Sequence, residues 1–289
     1  MRKLIEKFQW SNADCMYEEV DGTYPHHVAD PTEVHTMQDL LKAIREKNIP
    51  FGIGFDGDAD RMGVIMASGQ LVSGDILLSG WAPLIIAEHP HATVVHDIKC
   101  SDGLREVIEQ AGGTAVVSAS GTAYVKGAME KNGALLAGEL SCHFFFSDRY
   151  FGFDDGVYAA LRLLELVTTY AISLDAVIAS FPHRESSPEL RIRCDQKSSD
   201  VVACVKEYFL QKTSYTLCEI DGVRATTSSG WGLIRGSNTQ PVICLRFEAI
   251  SQYELVEIEN EFIEALAPFY SKEFLQQQMR AYLQPQGTP

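Results

Sequence analysis

The sequence contains three aspartates, Asp56, Asp58 and Asp60, that alternate with small residues and are followed directly by Arg61. Apolar runs enter and leave this segment, so the pattern predicts a tight acidic loop between two strands. Carboxylates this close together repel one another unless a cation lies among them. Mg²⁺ suits such a loop, because it binds a few carboxylates and keeps other positions for phosphate or water. We therefore predict that the three aspartates bind Mg²⁺; the alternative is an acidic surface turn.

Two other kinds of aspartate loop fit the pattern poorly. A calcium-binding EF-hand needs glycine at its sixth position and a bidentate acid at its twelfth. Counted from Asp56, those positions hold Arg61 and Ala67. A phosphatase of the haloacid-dehalogenase type would use the first aspartate as a nucleophile and place Thr or Val soon after it, a pattern that Arg61 does not match.

Three further polar sites could carry chemistry. The segment 235–241, Arg-Gly-Ser-Asn-Thr-Gln-Pro, combines an arginine with hydroxyl and amide donors, a set that suits a phosphate. The segment 138–143, Gly-Glu-Leu-Ser-Cys-His, offers the mixed donors and acceptors that a sugar with several hydroxyls requires. Lys99 follows an apolar strand and could meet a phosphate. The alternatives are a polar hairpin for 235–241, a cap for the next segment for 138–143 and a solvated side chain for Lys99.

The order of the predicted elements indicates an α/β protein. Strands alternate with helices through most of the chain, which predicts mixed α/β sheet domains followed by a smaller α+β C-terminal domain. We place the domains at 1–73, 74–181 and 182–289, with a proline-containing linker at 182–188. Thr36 is expected to cap a helix that follows it. Residues 276–289 are polar and are expected to be frayed.

Composition limits the possible partners. The chain has 289 residues, 46% of them hydrophobic, and a formal net charge of −15. The negative charge argues against nucleic acid or an anionic membrane as a partner. No run reaches the length of a membrane span. Seven scattered cysteines without Cys-x-x-Cys spacing suit free thiols, so we expect a cytoplasmic protein.

Taken together and in order, these motifs closely resemble the α-D-phosphohexomutases, above all the bacterial phosphomannomutase/phosphoglucomutase group. The resemblance covers nearly the whole chain. It rests on six segments: Asp21-Gly-Thr-Tyr-Pro-His-His27, Gly54-Phe-Asp-Gly-Asp-Ala-Asp-Arg61, Asp97-Ile-Lys-Cys100, Gly138-Glu-Leu-Ser-Cys-His143, Arg149-Tyr-Phe-Gly-Phe-Asp-Asp155 and Trp231-Gly-Leu-Ile-Arg-Gly-Ser-Asn-Thr239.

The resemblance implies a role for each candidate residue. Asp56, Asp58 and Asp60 would hold Mg²⁺. Arg61 would lie beside the phosphoryl group in transfer, and Lys99 matches a lysine of the active-site cleft. The remaining matches are to residues that bind the substrate, a hexose 1- or 6-phosphate of glucose or mannose. Those that match sugar-hydroxyl contacts are Glu139, Ser141 and His143, and those that match the loop around the second phosphate are Arg235, Ser237, Asn238 and Thr239. The implied reaction moves phosphate between the two hexose positions through a bisphosphate.

The sequence also departs from the family pattern. No Thr-Ala-Ser-His-Asn-Pro-like loop, which carries the family's phosphoserine, occurs in these residues. Ala59 and Cys142 stand where the family has glycine, and Thr122 stands where the closest relatives have histidine. We therefore expect the later part of a phosphohexomutase without mutase turnover of its own. Either a separate chain supplies the phosphoserine domain, or the protein is a non-catalytic remnant that binds sugar phosphates.

Overall fold

A computed structural model of the chain describes residues 1–10, 13–237 and 240–280. Contacts between Cα atoms divide the chain into two compact units. Unit 1 comprises Met1–Val117 and Gly121–Phe181, and unit 2 comprises Ser118–Ser120 and Pro182–Pro289. The mixed α/β fold expected from the sequence is confirmed. The three-domain boundaries at 73/74 and 181/182 stay a prediction.

Unit 1 begins with helices that precede a small antiparallel sheet. The sheet has the order β1-β2-β3, and Leu41 and Ile44 of the second helix pack with Ile65 against one of its faces. Glycines at cross-strand positions 54 and 63 leave the β1–β2 pair without side chains at one point. The elements are α1 (Arg2–Phe8), a 3₁₀ turn (Val34–Met37), α2 (Gln38–Glu46), β1 (Phe51–Phe55), β2 (Met62–Met66) and β3 (Leu71–Val72).

The helix cap predicted at Thr36 is wrong. Thr36 lies inside the 3₁₀ turn, and α2 begins two residues later with Met37 at its N-cap and no side-chain cap. The hydroxyl of Thr36 instead donates to the carbonyl oxygens of Asp30 and Glu33. A threonine hydroxyl often bonds nearby backbone in this way, and here it ties the turn to the preceding loop.

The rest of unit 1 is built around a second sheet, of order β5-β4-β6-β7. β4 and β6 are parallel, and β6 and β7 are antiparallel. Trp81 contacts Phe144 and Phe146 edge to face within the largest apolar core of this unit. The elements are α3 (Gly74–Glu88), β4 (Thr93–Asp97), α4 (Asp102–Gln110), β5 (Thr114–Ser118), α5 (Thr122–Asn132), β6 (Leu136–Gly138), β7 (Phe144–Phe146), α6 (Gly156–Thr168) and α7 (Leu174–Ser180).

Unit 2 is an antiparallel sheet with helices packed on it. Its strands follow the order β10-β11-β12-β13-β8, and β9 also pairs with β13. In its core, Phe262 of one helix contacts both Phe209 of another helix and Phe247 of β13. The elements are β8 (Glu185–Ser186), β9 (Leu190–Arg193), α8 (Ser198–Leu210), β10 (Thr216–Cys218), β11 (Val223–Thr226), β12 (Gly230–Gly236), β13 (Val242–Ala249), α9 (Gln252–Leu266) and α10 (Lys272–Arg280).

The C-terminal end differs from the frayed tail that we predicted from residue 276. Residues up to 280 belong to α10, because Leu275 and Met279 are one helical turn apart and are both buried in the core of unit 2. Residues 281–289 of the predicted tail lie outside the described residues. No helix in the described part of the chain combines the length and apolar composition needed to cross a membrane.

Candidate functional site

The acidic loop joins β1 to β2 and is held as a tight turn. Phe55 and Met62 form the last cross-strand pair, so the loop runs from Asp56 to Arg61. The amide of Ala59 donates to the carbonyl of Asp56 over 3.2 Å. Within this turn, oxygen atoms of the three aspartates at 56, 58 and 60 all lie within 4.8 Å of one another. The hairpin thus brings together the residues predicted to bind metal.

The pKa values of two aspartates in this loop are shifted in opposite directions. Burial opposes ionisation of Asp56, but hydrogen bonds from the Arg61 side chain and amide outweigh it, so the pKa of Asp56 is lowered. For Asp60, burial and the nearby charges of Asp56 and Asp58 act in the same direction. They raise the pKa of Asp60 to about 6, against the attraction of His143. The loop therefore holds carboxylates that another positive charge would stabilise.

An unsatisfied atom indicates where that positive charge would fit. Oδ1 of Asp60 is buried and has no hydrogen-bond partner among the described residues. A buried carboxylate oxygen without a donor is costly unless a cation neutralises it. A hard oxygen donor of this kind fits Mg²⁺. Asp60 also forms a second group with His143 and Asp154, but there the imidazole already bonds a carboxylate at 3.0 Å.

Ala59 and Cys142, where the resemblance implied glycine, both adopt a left-handed backbone conformation. Ala59 has φ of 60° and Cys142 has φ of 69°. Side chains with a Cβ are disfavoured in this region, whereas glycine adopts it freely. Burial raises the pKa of the Cys142 thiol to about 12, so it is a neutral, packed group. The two substitutions therefore leave local strain in both candidate loops.

The segment 138–143, which we call the sugar loop because the sequence predicts that it binds sugar hydroxyls, connects β6 to β7. It turns tightly on itself. The amide of Glu139 donates to the carbonyl of His143, and the amide of Cys142 donates to that of Glu139, each over 3.0 Å. The Glu139 side chain is buried and accepts from the Gly121 amide at 2.9 Å and the Ser141 hydroxyl at 3.0 Å. Burial and the nearby Asp97 carboxylate raise the pKa of Glu139.

The acidic loop and the sugar loop lie against each other. The amide of Met62 donates to the carbonyl of Cys142 over 3.1 Å, and Arg61 and His143 form an antiparallel bridge. Nδ1 of His143 lies 3.8 Å from Oδ2 of Asp60. Segments far apart in sequence are thus joined by backbone hydrogen bonds, and the side chains of both loops converge.

Lys99 lies close to the sugar loop. Its ammonium group is 3.7 Å from the fully buried Asp97 carboxylate, which also accepts the Leu140 amide over 3.2 Å. The Lys99 charge also acts on Glu139, where it favours the ionised form. The structure therefore places the Lys99 charge near the Glu139 carboxyl.

Asp154, which was not among the predicted site residues, bonds His143 directly, and Thr122 is linked to His143 through Asp154. Asp154 Oδ2 is 3.0 Å from Nδ1 of His143 and accepts the hydroxyl of Thr122 at 2.8 Å. Burial works against the charged form of His143, but the bond to Asp154 and the Glu139 charge outweigh it, so its pKa is raised. Asp154 lies in the motif 149–155, whose two adjacent aspartates were the available signal.

The predicted phosphate loop belongs to unit 2. Nε of Arg235 donates to Oδ2 of Asp221 over 2.8 Å, a contact that the sequence did not predict. The amide of Ser237 donates to Val242, and Gly236 packs against Ser198, the first residue of α8. A helix N-terminus favours anions, so this position suits a phosphate. The other predicted contacts, Asn238 and Thr239, lie outside the described residues.

Comparison with known proteins agrees with this arrangement. Three family models of phosphoglucomutase/phosphomannomutase match in chain order: alpha/beta/alpha domain II over residues 3–69, alpha/beta/alpha domain III over 73–184 and the C-terminal domain over 189–265. Fold and sequence thus define a multidomain protein of the phosphohexomutase type. The chain belongs to the phosphoglucomutase/phosphomannomutase family, of which it contains domains II, III and IV.

Individual relatives show the same likeness. The phosphomannomutase/phosphoglucomutase of Pseudomonas syringae pv. tomato is 40% identical over 247 residues, covering 86% of this chain and 53% of the relative. A phosphomannomutase of Methanocaldococcus jannaschii is 31% identical over 89% of this chain and 56% of its own length. The crystal structure of a Burkholderia thailandensis family member has a TM-score of 0.80 at 34% identity, covering 88% of this chain and 54% of that one. The chain spans about half the length of these relatives.

Proposed function

We propose that the protein supplies the metal, sugar and phosphate-loop parts of a phosphohexomutase site. The substrate would be a hexose phosphate of glucose or mannose, whose 1- and 6-phosphates interconvert through a bisphosphate. Relatives named phosphomannomutase/phosphoglucomutase support this assignment. The observation that carries it is the pairing of the acidic loop with the sugar loop through Arg61 and His143.

In this proposal the acidic loop serves the phosphoryl group in transfer. Asp56, Asp58 and Asp60 hold Mg²⁺, which when bound supplies positive charge beside that group. The Arg61 guanidinium adds a planar cation that matches phosphate oxygens. It is held at 2.8 Å from Asp56, so its position is already defined before a ligand arrives.

The sugar loop orients the ring of the substrate. The Glu139 carboxylate accepts sugar hydroxyls, while Ser141 and His143 complete a set of donors and acceptors. Lys99, beside Glu139, provides a cation for the anionic substrate. Arg235 and Ser237, with Asn238 and Thr239, hold the phosphate that is not in transfer; a helix N-terminus beside Gly236 supports this assignment.

The phosphoryl donor in this proposal is a phosphoserine that lies outside residues 1–289. The serine O–P bond breaks as a bond forms from phosphorus to the free sugar hydroxyl, whose proton passes to a basic side chain. After the bisphosphate turns round, its other phosphoryl group returns to the serine, so that the monophosphate is released with its phosphate moved. We place this reaction in the cytoplasm, where scattered thiols such as those of Cys194 and Cys204 stay reduced.

Calorimetric titration with mannose 1-phosphate in the presence of Mg²⁺ tests the binding part of the proposal. We expect binding by the intact chain and a loss of at least tenfold in affinity for Glu139→Gln, because the buried acceptor of sugar hydroxyls changes. Glu109→Gln, which removes one charge on an exposed helix, is the matched control and should bind normally. No heat at about 1 mM ligand, the upper end of typical Michaelis constants, would refute the proposal.

A coupled mutase assay tests the donor part. We expect no Mg²⁺-dependent turnover from the purified chain and recovery of turnover when a polypeptide with a Thr-Ala-Ser-His-Asn-Pro-like phosphoserine loop is added. A robust rate from the chain alone would show that no separate donor is needed. Sugar-phosphate binding without recovered turnover would favour the non-catalytic binding protein instead.

A further inference from the structure

The Arg61 guanidinium is clamped at two of its three nitrogen atoms. Nε donates to Asp56 Oδ2 over 2.8 Å, and Nη1 donates to Asp30 Oδ1 over 3.0 Å. Among the described residues, Nη2 has no hydrogen-bond partner. Asp30 follows the motif 21–27 and was not among the predicted site residues. One nitrogen of the planar group, Nη2, is therefore left for a ligand, and its direction depends on both carboxylates.

The orientation of Asp30 is set by its own turn. Oδ1 of Asp30 accepts the Thr32 amide at 3.1 Å and the Thr32 hydroxyl at 2.7 Å. Its carbonyl oxygen accepts the hydroxyl of Thr36. These bonds hold the carboxylate independently of Arg61. Asp30 is thus a fixed anchor to which the longer arginine side chain attaches.

Glycines in the β1–β2 hairpin allow this turn to approach the metal loop. Gly54 and Gly63 are directly opposed in the strand pair, and Pro31 lies over them. A Cβ at Gly63 would collide with the Pro31 carbonyl, and one at Gly54 would lie 3.5 Å from the Pro31 ring. Nearer the loop tip, the Tyr24 hydroxyl occupies the space that a side chain at Gly57 would need.

We propose that the segment 21–37 is the positioning element of Arg61 and that Asp30 aims its free Nη2 at the phosphate of the ligand. The proposal rests on the proposed function, because it takes a sugar phosphate to be that ligand. The negative charge of Asp30 alone would weaken the binding of a phosphate rather than support it. A carboxylate beside an anion site repels the ligand, so its removal should strengthen binding unless it also positions the arginine.

Affinity for mannose 1-phosphate with Mg²⁺ separates these two effects. We expect Asp30→Asn to weaken binding about threefold and Asp30→Ala about tenfold, since asparagine keeps an acceptor for the arginine and alanine does not. Glu46→Ala removes one charge from an exposed position on α2 and is the matched control. Equal or tighter binding by both Asp30 variants would overturn the proposal.

A double-mutant cycle shows whether Asp30 acts through the arginine. In an Arg61→Gln background, Asp30→Ala should cause no further loss of affinity, because the group that it positions is already gone. A residue that merely supports the fold would still weaken binding in that background. Full additivity of the two substitutions would therefore overturn the proposal.

A second measurement needs no sugar phosphate. In nitrogen-15 NMR spectra of the arginine side chains, the clamped guanidinium of Arg61 should show slow rotation and separate Nη signals, assigned by their loss in Arg61→Gln. Asp30→Ala should average these signals, and Glu46→Ala should not. Unchanged Arg61 signals in Asp30→Ala would refute the positioning role. If the Arg61 signals average in Asp30→Ala but the parent protein binds no sugar phosphate, the proposed function would be refuted and the positioning role of Asp30 would stand.

Discussion

Replacing Ala59 by glycine should stabilise unit 1, although glycine usually weakens a fold. Ala59 is half-buried and has φ of 60°. A left-handed backbone costs an L-residue roughly 1–2 kcal/mol. Glycine avoids this cost but loses about 0.5–1 kcal/mol more through its greater freedom in the unfolded chain. The difference predicts a net gain of about 0.5–1 kcal/mol.

The assay is thermal unfolding followed by circular dichroism in metal-free buffer. For a unit of this size, the expected gain raises the midpoint by about 1–4 °C. Ala87→Gly is the matched control, because Ala87 is exposed near the end of α3. There the same substitution should lower stability by about 1 kcal/mol.

The turn itself should keep its shape in Ala59→Gly. The Ala59 carbonyl accepts the Gly156 amide over 2.9 Å, a bond that does not involve the side chain. Titration with Mg²⁺ should therefore give nearly the same affinity for both proteins. If Ala59→Gly unfolded at a lower temperature than the parent, as Ala87→Gly should, the argument from backbone strain would fail.

Two further predictions concern burial and close packing. The pKa of Glu139 is raised, so its carboxyl contributes most below the pKa of the unfolded chain, and that contribution is lost as pH rises through the folded pKa. We therefore expect the free energy of unfolding of the parent protein to exceed that of Glu139→Gln by an amount that decreases from about pH 4.5 upward, as measured by urea unfolding. A difference that grows with pH would contradict this. Gly63→Ala should cost about 2–3 kcal/mol in the same assay, because its Cβ meets the Pro31 backbone. Gly54→Ala, which meets the flexible end of Met37, should cost less, and equal costs would contradict the packing argument.

Local sequence patterns predicted most of the elements. The alternation of strands and helices survives in both units, because apolar periodicity marks which face of each element is buried. The strand Phe144–Phe146 was not predicted, since three adjacent aromatics carry no period. The cap predicted at Thr36 failed for another reason: a hydroxyl can bond backbone on either side, and here it bonds carbonyl oxygens that precede it.

The candidate site was predicted only where its residues are contiguous in sequence. The acidic loop and the segment 138–143 were recognised as motifs, but nothing local shows that Met62 bonds Cys142. The partners Asp30 and Asp154 were missed because each acts on a residue far along the chain, Arg61 and His143. Such pairs depend on the way the elements pack, which periodicity does not report.

The bond between Met62 and Cys142 also has a consequence for the order of folding. It links β2 to the loop between β6 and β7, which lies far along the chain, and long-range pairing of this kind forms slowly because a large loop must close first. The acidic loop alone can form early, yet its arginine reaches His143 only after β6 and β7 are in place. During refolding, burial of the metal loop should therefore lag behind hairpin formation and report the completion of unit 1.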